Sequence, residues 1–202
     1  IKAVHAAIES TERTLSAYRI ARAQSGGAAA PAEFLLWEAE HPWAPFHPEA
    51  DCPPESSLEE LKIELDRRGH DATVVQIANL VDHPIDVRVW LDPLAAEDDS
   101  TSPVLEHLQL RQVTWIPAEN GNMGADALPE LNTAGVMAVP ALSSSRLWID
   151  VLAGELPPGS YTPTLHVRAL TPGASTRDVP IRLRVAPPDL PAALPLPVVT
   201  WA

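Results

Sequence analysis

Proline is the residue that most limits what this chain can fold into. The 202 residues include 22 prolines and 9 glycines, so proline has about twice its usual share of roughly 5%. Because proline lacks a backbone N–H and has a fixed φ, it is disfavoured in helix interiors and in central strands of a sheet. The composition therefore argues against an all-helical bundle and favours many short strands joined by turns that contain proline.

Charge and hydropathy exclude several classes of function. The formal net charge is -13 and no cluster of Lys and Arg stands out, so we expect no nucleic-acid partner. No apolar run approaches the roughly 20 residues of a membrane span. The single cysteine, Cys52, excludes an internal disulfide framework and a cysteine-rich metal site. It leaves the compartment open, and a secreted or cell-envelope location is favoured.

The patterning divides the chain into four parts. Residues 1–25 show apolar positions in steps of three and four, which predicts an N-terminal α-helix. Residues 26–57 form an acidic, proline-rich connector, residues 58–188 a β-sandwich, and residues 189–202 a linker and a first strand toward a following domain. The chain opens within a helical pattern and closes on a strand-like run, so we expect it to be a piece of a longer protein.

Alternation of apolar and polar residues is clearest in the last third of the chain, where turn signals separate the strands. The pattern predicts a mainly β fold, an antiparallel Ig-like β-sandwich of about seven strands. Nothing between the strands indicates a crossover helix, so a parallel sheet is disfavoured. The predicted core consists of Leu147, Ile149, Val151, Leu165, Val167, Ile181, Leu183 and Val185.

The turn before the strand that begins at Tyr161 allows a sharper prediction. In the run Pro157-Pro158-Gly159-Ser160-Tyr161, we expect a hairpin in which Gly159 takes a positive φ. Tyr161 should then bury its ring and bond its hydroxyl to nearby backbone, as in a tyrosine corner.

Several motifs together resemble a known family. They lie at Ser145–Val151, Leu156–Leu165 and Val179–Val185, with shorter matches at Asp126–Pro129 and Gln76–Leu80. The set resembles the β-sandwich that precedes the catalytic barrel in glycoside hydrolase family 123-like proteins and their uncharacterised bacterial relatives. The resemblance covers residues 58 to 190.

The resemblance implies a domain without catalytic residues of its own. The family's catalytic acidic pair lies on the barrel, and no barrel is present here, so no catalytic residue can be carried over. The implied function is a non-catalytic, cofactor-free domain of a larger glycoside hydrolase, with the adjacent catalytic domain as its partner. Alternatives are a carbohydrate-binding module and a structural adhesion-type sandwich of the cell surface. Pro163 replaces the family's glycine, which indicates an edge strand because proline cannot donate to the ladder.

Two tryptophans are the candidate carbohydrate-binding residues. Trp90 and Trp148 alternate with the apolar positions of their own strands, so both indoles face outward if those positions face the core. Exposed indoles stack on the apolar faces of sugar rings. The alternative is that the helix, the connector or a neighbouring domain covers them. Exposure on one flat face would favour binding, and burial would favour a supporting role.

The connector contains residues of the types that bind zinc. The candidates are His41, His47, Asp51 and Cys52, accompanied by Glu38 and Glu40, although we expect no metal site here. Their spacing matches no established zinc pattern and prolines intervene. The competing interpretation is a connector whose aromatic residues, Trp37, Trp43 and Phe46, hold it against the sandwich.

No other cluster points to catalysis. Glu97–Asp99 is best explained as a solvated loop, and Ser143–Ser145 lacks the glycines of a nucleophile elbow. We therefore expect this chain by itself not to be an enzyme.

Overall fold

The computed structural model describes residues 33–43, 46, 48, 58–95, 101–102, 107–117, 123–171, 174 and 176–189. The predicted N-terminal helix and most of the predicted C-terminal linker lie outside these residues. The described residues form fourteen strands and no helix. In chain order they are β1 (Phe34–Glu38), β2 (Leu61–Arg67), β3 (His70–Asn79), β4 (Ile85–Leu91), β5 (Leu94–Ala95), β6 (Thr101–Ser102), β7 (Leu108–Gln112), β8 (Thr114–Pro117), β9 (Met123–Ala127), β10 (Val136–Val139), β11 (Ser144–Leu152), β12 (Gly159–Tyr161), β13 (Thr164–Ala169) and β14 (Thr176–Asp189).

Two large sheets carry most of these strands. The four-stranded sheet has the order β1-β3-β11-β7. The six-stranded sheet has the order β10-β4-β13-β14-β12, and β2 also pairs with β14. Two small two-stranded sheets, β5-β6 and β8-β9, complete the set. The prediction of a mainly β sandwich is therefore confirmed, whereas the expected count of about seven strands is not what the structure shows.

One apolar core joins the inner faces of the two large sheets. Alternate residues of β3 and β11 meet alternate residues of β4, β13 and β14, as expected for face-to-face sheets. All eight residues of the predicted core belong to this cluster. The four-stranded sheet adds Phe34, Leu36, Val75 and Ile77, and the six-stranded sheet adds Leu61, Ile63, Ile85, Val87, Val89 and Val179.

One strand pair departs from the antiparallel prediction. β2 runs parallel to β14, with Leu61 opposite Ile181 and Leu65 opposite Val185. The other strand pairs of the described residues are antiparallel. Alternation shows which face of β2 is buried but contains no information on strand direction, so the sequence could not reveal this pair.

Three predicted boundaries differ from those of the structure. β1 pairs with β3 along its full length, although the sequence analysis assigned it to the connector. The apolar pattern of residues 104–116 predicts one bent strand, but the described part of this stretch divides at Val113 into β7 and β8. Pro163 separates β12, which pairs only with β14, from β13, which lies between β4 and β14. Its carbonyl accepts a hydrogen bond from Ile181 N at 2.8 Å, so the proline marks the junction between an edge strand and an internal one.

Asn79 ties the end of β3 to the opposite sheet. Its side chain is fully buried, and Nδ2 donates to the carbonyls of His83, Val139 and Pro140 at 2.8 to 3.1 Å. Oδ1 accepts from Val81 N at 2.9 Å. A buried amide is stable only when its donors and acceptors are satisfied, and here its partners are backbone groups at the end of β10 and in the turns that follow β3 and β10.

Tyr161 behaves as predicted. Its ring is 4% exposed and belongs to the main core, and its hydroxyl donates to Pro157 O at 2.8 Å. The prediction for Gly159 was wrong, because the positive φ falls earlier, at Gly154 (53°). The chain here crosses from β11 in one sheet to β12 in the other, so no hairpin forms and Gly159 already lies in the ladder opposite Val185.

The segment that ends at Gly135 closes one side of the sandwich, and Gly135 itself also has a positive φ. Leu131 N donates to Leu110 O on β7 at 3.1 Å, and Val89 N on β4 donates to Gly135 O at 2.7 Å. The segment 129–135 therefore crosses from the edge of one sheet to the edge of the other. At Gly135 (φ 65°) a β-carbon would collide with the carbonyl oxygen of Val89.

Replacing Tyr161 should separate the contribution of its ring from that of its hydroxyl. Tyr161→Ala removes a buried aromatic ring and should lower the free energy of unfolding by about 3–5 kcal/mol. Tyr161→Phe removes the hydroxyl, which donates to Pro157 O, and should lower the free energy of unfolding by about 1 kcal/mol. Urea unfolding of both variants measures the difference, and equally small losses would show that the ring does not support the core.

Gly135 and Gly154 form a matched pair for testing backbone strain. Gly154→Ala should destabilise the fold by about 1 kcal/mol, because its positive φ disfavours a β-carbon while the nearest side-chain atom, His107 Cε1, lies at an ordinary 3.6 Å. Gly135→Ala adds a collision with backbone and should cost more than about 2 kcal/mol. Thermal unfolding that ranks the two variants in the opposite order would contradict the described path of the 129–135 segment.

Candidate functional site

Trp148 lies on the outer face of the four-stranded sheet and is covered. It is 5% exposed and clusters with Phe46 and Val113. The Trp43 ring lies edge-on, with 4.7 Å between centroids, and is itself 76% exposed. The segment before β2 therefore covers Trp148 and prevents it from presenting an open ring face to a sugar.

A charged network sits beside Trp148. Asp150 accepts hydrogen bonds from Trp148 Nε1 at 2.7 Å and from Arg111 Nε at 2.6 Å, while His70 Nε2 lies 3.6 Å from the same carboxylate. Burial alone would raise the pKa of Asp150, but the hydrogen bonds from Trp148 and Arg111 and the charge of Arg111 outweigh it, so the pKa is lowered. A carboxylate held ionised in this way is suited to holding the surface together and poorly suited to accepting a proton in catalysis.

Trp90 lies on the outer face of the other sheet, so the two candidate tryptophans share no surface. Its neighbours Val89 and Val87 face the core, and the indole is half-buried. The ring of His166, directly opposite on β13, stacks on it with 4.8 Å between centroids and 14° between planes. The Arg88 guanidinium carbon lies 5.5 Å from the Trp90 ring centroid.

His166 is held between two carboxylates. Nδ1 lies 2.7 Å from Asp178 Oδ1 and Nε2 lies 3.0 Å from Asp92 Oδ1. Burial would lower the pKa of His166, but the hydrogen bonds and negative charges of Asp178 and Asp92 outweigh it, so the pKa is raised. The imidazolium is thus favoured, stacked on Trp90 and paired on both sides.

Two concave surfaces adjoin Trp90. One is a half-open cleft of about 430 Å³ between β4, β7 and the 129–135 segment. The other is an open groove of about 490 Å³ along β4 and the end of β13. Both volumes fall in the range of small-molecule sites, and Trp90 lines both of them. Of the two candidate tryptophans, Trp90 is therefore the one that a ligand could reach.

The candidate zinc ligands are only partly described. His41 is exposed, whereas His47, Asp51 and Cys52 lie outside the described residues. Glu38 accepts a hydrogen bond from Thr73 Oγ1 at 3.0 Å. Among the residues that the structure describes, no three His, Cys, Asp or Glu side chains converge as metal ligands would.

Sequence reasoning missed the partners of Trp90. Its position between Leu165 and Val167 predicts that His166 points outward, which is correct, but its contacts come from β4, from Asp92 just after β4, and from β14. Only the register, with His166 opposite Trp90 on one side and Asp178 on the other, brings these groups together. Turn chemistry and alternation do not specify the register between strands so distant in sequence.

Comparison with solved structures gives a likeness in fold. The chain is similar to a family 123 glycoside hydrolase from Clostridium perfringens, with 11% identity and a TM-score of 0.51, over 64% of this chain and 23% of the hydrolase. The chain thus spans about a quarter of that enzyme's length. It is also similar to a PapD-like domain of human CEP192, with 7% identity, a TM-score of 0.43, and coverage of 82% of this chain and 94% of that one.

The chain is also similar to the CsuC–CsuE chaperone–adhesion subunit complex of Acinetobacter baumannii, with 16% identity and a TM-score of 0.41. This likeness covers 76% of this chain and 57% of the matched chain. No family model and no curated protein matches the sequence. Within the described residues, no helix has the length and apolar character needed to cross a membrane. The likeness to the hydrolase therefore concerns the fold alone, and the function follows from the geometry of the site.

The ion pairs of His166 with Asp92 and Asp178 predict a pH-dependent contribution to the stability of the fold. Because the pKa is raised in the folded state, the contribution is fully present below the unfolded value of about 6.5 and is lost as the pH rises through the folded pKa. His166→Gln should therefore destabilise the protein more at pH 5.5 than at pH 8.5. Urea unfolding at both pH values tests this, with His83→Gln on an exposed turn as control. A His166→Gln loss that is the same at both pH values would contradict the assignment.

Proposed function

We propose that this chain is a non-catalytic β-sandwich domain of a larger glycoside hydrolase and that it supports the catalytic barrel of that enzyme. The observation that carries the proposal is the enclosure of Trp148 beneath Trp43 and Phe46. A tryptophan on an outer sheet face that is covered by its own chain serves packing. This outcome favours the supporting role over a flat aromatic binding surface.

The carboxylates of the described site support the non-catalytic part of the proposal. Asp150 is engaged by Trp148 and Arg111, and Asp92 and Asp178 are separated by the His166 ring that both of them contact. A glycosidase needs two carboxyl groups facing one bond, about 5–9.5 Å apart, with room for the sugar between them. Here the space between Asp92 and Asp178 is filled by protein.

The fold likeness to the Clostridium perfringens hydrolase supports the parent class, together with the family resemblance of the motifs. A carbohydrate-binding module remains the second candidate, because Trp90 lines an open groove. The two candidates differ in what Trp90 does. In a supporting domain Trp90 is dispensable for catalysis, whereas in a binding module it contributes to substrate affinity.

Two measurements test the proposal. The purified 202-residue chain should release no aglycone from a panel of aryl glycosides, and turnover that one carboxylate substitution abolishes would overturn it. In the parent enzyme, Tyr161→Ala should reduce the amount of folded, active protein and leave the KM of the remainder unchanged. With uncharged glycan substrates Trp90→Ala should change neither quantity, and a raised KM for those substrates in that variant would favour the binding module.

A further inference from the structure

Two arginines stand directly opposite each other on the outer face of the six-stranded sheet. Arg88 on β4 and Arg168 on β13 are register partners, and both are exposed. Like charges at such cross-strand positions are destabilising. The chain has 27 acidic and 14 basic residues, so two adjacent arginines run against its overall charge and call for an explanation.

Neither guanidinium is paired with a carboxylate of the described residues. The contact recorded for Arg88 is with the Trp90 ring, at 5.5 Å, and no ion pair involves Arg168 within the described part of the chain. Two other arginines on the same sheet do have carboxylate partners. Arg182 contacts Glu60, and Arg184 Nη1 lies 3.4 Å from Glu64.

The two arginines line a groove that also has apolar walls. The groove of about 490 Å³ is bounded by Arg88, Arg168, Trp90, Ala169, Leu170 and Thr171. Leu170 is 51% exposed and adds an apolar surface to this groove. Guanidinium groups bind oxyanions through directional, charge-assisted hydrogen bonds, and the apolar walls suit the faces of a ring.

We propose that this groove binds an anionic saccharide, with its carboxylate or sulfate between Arg88 and Arg168 and its sugar ring against the Trp90 and Leu170 side. The proposal goes beyond the supporting role of the domain and does not depend on it. A ligand oxyanion removes the repulsion within the arginine pair, which no carboxylate of the described residues neutralises.

The surrounding charges restrict which anions fit. Asp86 lies on the same outward face of β4, one alternate position before Arg88, and Asp92 and Asp178 flank His166 at the other end. These acidic groups repel a densely charged polymer such as nucleic acid, as does the net charge of -13. A saccharide with a single, isolated acidic group therefore fits better than a polyanion.

Isothermal titration calorimetry of the full 202-residue chain at low ionic strength tests the proposal. The probes are an aldobiouronic acid, which has one uronate and one neutral sugar, its methyl ester, a monosulfated disaccharide and inorganic sulfate. The acid or the sulfated sugar should bind, and its affinity should fall as salt is added. The methyl ester, which has the same rings without the charge, should bind at least about tenfold more weakly.

Matched double variants locate the site. R88Q/R168Q should weaken binding of the charged saccharide by about tenfold or more. R182Q/R184Q removes the same charge from the same sheet, but from arginines that already have carboxylate partners, and should leave affinity within about twofold. Because the arginines of the first pair repel each other, R88Q/R168Q should have an unchanged or raised Tm, so a loss of binding cannot be ascribed to unfolding.

Four results would overturn the proposal. They are no binding of either charged saccharide, equal binding of acid and ester, equal loss in the two double variants, and inorganic sulfate binding as tightly as the sulfated sugar. Whether the uronate or the sulfated sugar binds more tightly identifies which oxyanion the arginine pair prefers. Absence of hydrolysis by the chain bears only on the supporting role, so the two proposals fail separately.

Discussion

A single apolar core between two sheets determines which side chains of the described strands point outward. Since alternate residues of each strand must face that core, the remaining residues are assigned to one outer face or the other. Trp148 and Trp90 occupy equivalent positions in their strands, beside Leu147 and Val89 of the core. They nevertheless lie on opposite sides of the molecule, and this separation decides their roles more than their chemistry does.

The two outer faces differ in how their side chains are covered and paired. On the four-stranded sheet, aromatic residues from the segment before β2 cover Trp148, and a charged network closes around Asp150. On the six-stranded sheet no described segment covers the strands, and the surface is built from charged pairs across neighbouring strands. His166 lies within ion-pair distance of a carboxylate on both sides there, whereas Arg88 and Arg168 have no carboxylate partner among the described residues. This arginine pair, which no described carboxylate contacts, distinguishes the face more than either tryptophan alone.

Alternation predicted the parts of the fold that depend only on which face of a strand is buried. The eight residues of the predicted core and the buried ring of Tyr161 are therefore correct. Strand direction, register and partner choice depend on contacts distant in sequence, so the parallel β2–β14 pair and the His166 cluster could not be predicted. The positive φ predicted for Gly159 was wrong for a related reason. The residues before it do form a turn, but the chain crosses between the two sheets there and does not form a hairpin. The apolar residues of β1 lie in an acidic, proline-rich stretch, and these surroundings favoured a connector over a strand.

The parallel pairing of β2 and β14 also determines the order in which the protein can be completed. β2 is among the first described strands and β14 is the last, and contacts such as that between Glu64 and Arg184 span 120 residues. Bringing such distant segments together requires loop-closure entropy to be overcome before the contacts stabilise the chain, and folds rich in distant contacts fold slowly. During synthesis, β2 emerges from the ribosome long before its hydrogen-bonding partner exists. Until β14 emerges, the apolar face of β2 lacks both its partner strand and its full share of the core, and the nascent chain must keep that edge from pairing with other chains.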